Sequence, residues 1–186
     1  DGTIWGGELL LADLGSYRRL GHLQPVVLPG GEAAIRQPVR MAFAYLQAAF
    51  GDAAGAKAAA LGLQLPPLAE QILRRQVSTG WQSPLTTSVG RLFDALAAAL
   101  DICRQRTYEG QPALELEMAA EMGGDGCYEV AVLRAEGGLV IDNIGLFRQA
   151  VADYLQGSPR EHVAARFHES LAQAAARLCR SAQQRP

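Results

Sequence analysis

The stretch SPLTTSVGRLFDALAAAL, residues 83 to 100, decides how this chain folds. At 100° per residue, Val89, Leu92, Phe93, Leu96 and Leu100 fall within one narrow wedge, with Ala97 at its border. That stripe predicts a buried helix over about 88–101. Arg91 and Asp94 lie on the opposite side, about 60° apart by the same periodicity. Three residues apart, they can form a surface ion pair worth roughly 0.2–0.5 kcal/mol. The polar face admits two readings, the solvated back of a core helix or the wall of a cleft. Gly90, in the first turn, lets a ligand approach the backbone, where free N–H groups suit phosphate.

Working outward, the N-terminal flank reads as β. IWGGELLLAD and YRRLGHLQPVVL are two strand-like runs joined by a turn at LGSY, and Gly6 and Gly7 suggest a bulge or a close backbone approach. Pro29, Gly30 and Gly31 mark LPGGEAAIRQP as a loop. Pro38 opens a helix with Met41, Tyr45, Leu46 and Phe50 on its apolar face, and Gly51 ends it. AGAKAAALGLQL is a short helix or a loop, PPLAEQILRRQV a helix, and STGWQSPLTTS a hydroxyl-rich loop. Beyond the central helix, TYEGQPALELEMAAEM holds a turn at Glu109–Gly110 and a helix from about Pro112, broken by Gly123, Gly124 and Gly126. CYEVAVL reads as a strand, AEGG as a hairpin turn and LVID as the return strand. Two helices follow, about 144–156 and 158–180, with Asn143 and Ser158 as caps and Pro159 at a first helical position. The expectation is one α+β unit dominated by helix: hairpin and loop over 1–36, helices over 37–126, a hairpin over 127–142 and helices over 143–186. A chain opening on DGTIWGGE and stopping in RSAQQRP is expected to be a piece of a longer one.

Composition removes several functions. The net charge of −2 over 186 residues includes no basic block, so no nucleic-acid partner is expected. No apolar run reaches ~18 residues, and neither a leader nor a membrane partner is expected. Cys103, Cys127 and Cys179 are far apart, odd in number and not beside histidine, as reduced thiols of a cytoplasmic protein are. His162 and His168 lie about 240° apart on one helix and His22 stands alone, so no metal site assembles. WGGE and LPGGEAAIR contain neither dinucleotide-binding nor Walker glycine spacing. In TYEGQPALELE, Gly110 supplies a positive φ or room for a ligand, and Glu115 and Glu117 sit where a helix dipole favours acids.

Taken in order, DGTIWGGELLL, LPGGEAAIRQPVRMA, SPLTTSVGRLFDALAAAL and TYEGQPALELE resemble the C-terminal carbamoyltransferase region of the hydrogenase maturation factor HypF family. The resemblance covers about residues 1–120 and runs more loosely to FHESLAQAAARL at 167–178. It implies part of a two-lobed fold of the actin, Hsp70 and sugar-kinase type. It implies a protein that makes carbamoyl adenylate from carbamoyl phosphate and ATP. The carbamoyl group then passes to the C-terminal cysteine of HypE, where it becomes the cyanide ligand of NiFe hydrogenase. By the same resemblance, Asp94 in the GRxFD helix holds the nucleotide ribose, Gly110 approaches the nucleotide, and Glu115 also reaches the ribose. Gly90, from its place in the first turn, and Arg91 are further nucleotide-binding candidates, with Arg91 open between an ion pair with Asp94 and a cleft residue. The related TsaD-type enzymes often carry two glycines in this turn, whereas this chain has Gly110 then Gln111. The family's metal-binding motifs lie outside these residues, so a divalent metal is expected only in the full-length domain. The chain is expected to be one cleft wall, inactive alone. A TsaD-type tRNA-modifying relative and a non-catalytic interaction domain are the alternatives.

Overall fold

A computed structural model describes residues 2–120, 124 and 126–183. The expected helix break at Gly123 lies outside them, whereas Gly124 and Gly126 lie beyond the end of the preceding helix. The central stretch forms helix α5, Val89–Ala99, and its core-facing side is wholly enclosed: Leu92 and Ala95 to Leu100 are all 0% exposed. Alanine makes this possible, because small side chains let neighbouring helices pack close while keeping helix propensity high. The neighbours are α2 (Pro38–Phe50), α6 (Gln111–Ala119) and α7 (Asn143–Leu155). Helix α8, Arg160–Gln183, closes the bundle, its Phe167 meeting Phe93 edge-on at 5.2 Å.

The β segments do not remain two separate hairpins. Strands β1 (Glu8–Ala12) and β2 (Tyr17–Leu23) pair antiparallel, as do β5 (Val132–Ala135) and β6 (Gly138–Ile141). Parallel pairing of Gly21–Leu23 with Leu139–Ile141 then joins them in the order β1-β2-β6-β5. Glycine suits Gly21 there: a Cβ would lie 2.9 Å from the Leu139 carbonyl of the paired strand, too close for backbone, and 2.7 Å from Leu178 Cδ1 of α8. A small second sheet pairs β3 (Val26–Val27) with β4 (Leu85–Thr86), and Ile4 bridges onto Thr86.

Several local expectations change. Pro25, which has no N–H for a ladder, divides the second strand-like run into β2 and β3. Part of the expected loop after Pro29 is a short helix α1, Glu32–Arg36, which ends at Gln37 before Pro38 starts α2. AGAKAAALGLQL supplies α3, Ala54–Ala60, and the helix from the proline pair is α4, Pro67–Thr79. Cys127 to Ala131 belong to no strand, and the paired register with β6 runs from Val132 to Ala135. Asp142, not Asn143, caps α7: its carboxylate accepts from the Gly145 N–H at 2.7 Å. Asn143 is instead buried at 1% exposure, held by Gln24 and Tyr45. The Ser158 hydroxyl donates to Asp153, and Pro159 stands just ahead of α8, its carbonyl accepting from Val163.

Candidate nucleotide site

Asp94 is 3% exposed although it lies on the polar side of α5. Arg91, one turn back, places a guanidinium nitrogen 2.9 Å from Asp94 Oδ2, but at an angle that makes no hydrogen bond. Oδ2 and Arg91 Nε are therefore buried polar atoms with no hydrogen-bond partner among the described residues. Burial pushes the Asp94 carboxyl up from 3.8 to about 6, while the charges of Arg91 and Arg106 pull it down. Burial likewise lowers Arg91, with Asp94 and Glu109 opposing that and Arg106 adding to it.

The segment after α5 brings further polar groups to the same place. Burial and the neighbouring Glu115 raise the Cys103 thiol to about 11, and Asp94 adds to the effect. Glu115 accepts from Gln111 Nε2 at 2.8 Å. Gln111 Oε1 in turn accepts from the Thr107 N–H at 2.6 Å and from the Thr107 hydroxyl at 3.1 Å. The residue that replaces a second glycine thus orients Glu115 and ties the turn to α6. Glu115 and Glu117 lie beyond the first turn of α6, which holds no acid, so they do not act on the helix dipole as expected. Gly110 adopts φ 79°, and a Cβ there would meet nothing within 4 Å. It supplies both the left-handed turn and open space beside the backbone.

Arg91, Asp94 and Glu115 are thus gathered with Cys103 and Arg106. Gly90 shares none of these interactions and stands at the start of α5. Two amides of that first turn are committed internally, Val89 N–H to Gly6 O and Arg91 N–H to Ser88 O. Arg106 was not singled out from sequence, and its only signal there is a cation four residues before the glycine turn. It also lines an adjoining cleft of about 430 Å³ between Arg36–Gln37 and the loop Gln105–Glu109, with Tyr108 exposed at its rim. Among the described residues no three His, Cys, Asp or Glu side chains converge to hold a metal, so the residues present do not fit one. None of the described helices is long and apolar enough to cross a membrane.

The family model "Carbamoyltransferase, Kae1-like Domain, second subdomain" matches residues 1–186. The chain belongs to the HypF carbamoyltransferase family. It is 43% identical over 177 residues to carbamoyltransferase HypF of Rhodobacter capsulatus, covering 94% of this chain and 22% of that protein. A HypF homolog of Cupriavidus necator is 38% identical over 183 residues, covering 94% of this chain and 45% of that one. The chain therefore spans less than half the length of either. The fold is similar to the crystal structure of full-length HypF in its phosphate- and nucleotide-bound form. There the TM-score is 0.86 at 29% identity, over 96% of this chain and 23% of that one. HypF of T. kodakarensis is similar with TM-score 0.80 at 28% identity, over 96% and 24%. The helix-dominated α+β fold is thus that of part of a HypF protein.

Proposed function

We propose that this chain forms one wall of the nucleotide site of a HypF-type carbamoyltransferase. That enzyme uses carbamoyl phosphate and ATP to form carbamoyl adenylate. It passes the carbamoyl group to the C-terminal cysteine of HypE, in the cytoplasm, for the cyanide ligands of NiFe hydrogenase. Alone, the 186 residues do not carry out the transfer.

The observation that carries the reading is Asp94, a buried carboxylate whose Oδ2 is ion-paired with Arg91 at 2.9 Å but accepts no hydrogen bond among the described residues. A buried unsatisfied acceptor is costly and persists where a ligand satisfies it. A ribose suits this one, because its adjacent hydroxyls are donors and a carboxylate is acceptor-only once ionised. With its pKa at about 6, Asp94 is mainly ionised at neutral pH. Glu115, oriented by Gln111, supplies a second acceptor, and the bare Gly110 backbone gives the sugar room to approach. The nucleotide-bound form of the similar full-length HypF supports a nucleotide as the ligand.

Calorimetry with ATP and with a non-hydrolysable carbamoyl-adenylate analogue tests this, on the chain and on a full-length HypF carrying it. Asp94→Ala removes a charge-assisted hydrogen bond and is expected to raise Kd by about tenfold or more. Unchanged affinity in that variant refutes the assignment, and carbamoyl transfer to HypE by the chain alone refutes its inactivity.

A further inference from the structure

The WGGE segment, Trp5–Glu8, is tied to the start of α5 through one carboxylate. Glu8 Oε2 accepts from two successive backbone amides, Gly6 at 2.6 Å and Gly7 at 2.7 Å. Glu8 Oε1 accepts from Arg19 at 3.0 Å and from the Thr87 hydroxyl. The carboxylate is nearly enclosed, its side chain 6% exposed, and the Arg19 guanidinium lies 4.3 Å from the Trp5 ring centre. Four donors from three parts of the chain converge on one side chain.

What they hold is the end of the helix that carries Asp94. Gly6 O accepts from Val89, the first residue of α5. Ile4 O accepts from the Thr87 amide at 3.0 Å and from the Thr86 hydroxyl at 2.9 Å. A Cβ on Gly7 would collide with the Thr87 carbonyl, and one on Gly6 would sit 3.0 Å from Ser88 Oγ. The two glycines therefore allow the backbone contact, and Glu8 fastens it. Apolar packing seats the enclosed face of α5 against its neighbours, and directional hydrogen bonds at its N-terminus fix the position of that end more narrowly. Asp94 follows Val89, the first residue of α5, by about one and a half turns of helix, so the phase set where Thr87 and Ser88 enter the helix reaches Asp94 directly.

We infer that Glu8 is a positioning residue for the nucleotide site: it locks the N-terminus of α5 through Thr87 and the Gly6–Gly7 backbone, and so sets where Asp94 presents its carboxylate. The inference rests on the nucleotide reading of Asp94. Misplacement of a binding group by about 1 Å has large consequences for what it holds.

ATP titration calorimetry on a full-length HypF carrying this chain tests it with Glu8→Gln, Thr87→Val, Thr87→Ser, Asp94→Ala and Leu73→Ala. Leu73→Ala is the control, since Leu73 is buried on α4, which packs chiefly on α2 and supplies none of the hydrogen bonds to Glu8 or Thr87, and its loss is expected to lower stability. Glu8→Gln and Thr87→Val are expected to raise Kd by about tenfold, Thr87→Ser to restore it, and Leu73→Ala to leave it unchanged at similar loss of thermal stability. If Glu8→Gln fails to fold, the isosteric Thr87→Val carries the test. Unchanged Kd in folded Thr87→Val and Glu8→Gln, beside weakened binding in Asp94→Ala, overturns the positioning role alone. Unchanged Kd in Asp94→Ala overturns the nucleotide reading and the inference with it. Equal weakening in Leu73→Ala also overturns the positioning role, because stability then accounts for the effect.

Discussion

Arg91 and Asp94 stand 2.9 Å apart on the same helix, and both are mostly withdrawn from solvent, their side chains 15% and 4% exposed. A pair with these residues on an exposed helix is a minor stabiliser. Here desolvation outweighs the attraction, since burial is the largest influence on both groups and weakens the charge of each. The site is thus built at some expense in stability.

Asp94→Asn is accordingly expected to stabilise the fold. The carboxyl rises from 3.8 to about 6 on folding, so the ionised form is disfavoured in the folded state by on the order of 2–3 kcal/mol near neutral pH. A neutral isostere avoids that. Chemical denaturation at pH 7 should show a higher midpoint for the variant, while its nucleotide affinity falls.

The same shift fixes the sign of the pH dependence. Between 3.8 and about 6 the folded state binds more protons at Asp94 than the unfolded state does. This residue's contribution therefore favours folding below 3.8 and is lost as pH rises through about 6. Nucleotide binding runs the other way. Ribose hydroxyls donate to the carboxylate, so affinity should rise as pH increases through about 6 and then level off. Calorimetry from pH 5 to 8 should show that rise in the wild type and not in Asp94→Asn.

Asn143→Ala should be among the costlier substitutions. Asn143 Oδ1 accepts from the Gln24 amide at 2.6 Å, and Nδ2 donates to Gln24 O at 3.2 Å and to the Tyr45 hydroxyl at 2.9 Å. Truncation leaves these groups buried without partners, at about 1–3 kcal/mol for each one that water does not reach. Tyr45→Phe removes one bond and should cost less. Urea unfolding of both variants measures the difference.

The three cysteines should react unequally. Cys103 is buried and its thiol is held at about 11, so little thiolate forms near neutral pH. Cys127 and Cys179 are exposed. A maleimide at pH 7 should label two sites in the native chain and a third only after denaturation. Rapid labelling of all three would contradict the burial of Cys103.

Much of the helical framework is legible in the sequence because helix periodicity is local. The wedge from Val89 to Leu100 is the face that packs, and Pro38, Gly51 and Gly110 punctuate helices where they stand. The parallel union of Gly21–Leu23 with Leu139–Ile141 is not legible, because no local pattern reports pairing across more than a hundred residues. The cap of α7 was misread by one residue because Asp142 and Asn143 are both good caps, and only the buried partners of Asn143 separate them.

Asp94 divides the two kinds of information. Sequence alone determined that it shares a helix face with Arg91, opposite the apolar stripe, since that follows from the pitch of one helix. The tertiary structure decided that this polar face is buried, with Asp94 3% exposed and within electrostatic reach of Arg91, Arg106 and Cys103. Desolvation depends on what the rest of the chain places beside a charge, and that is set by packing between segments, not by any one of them.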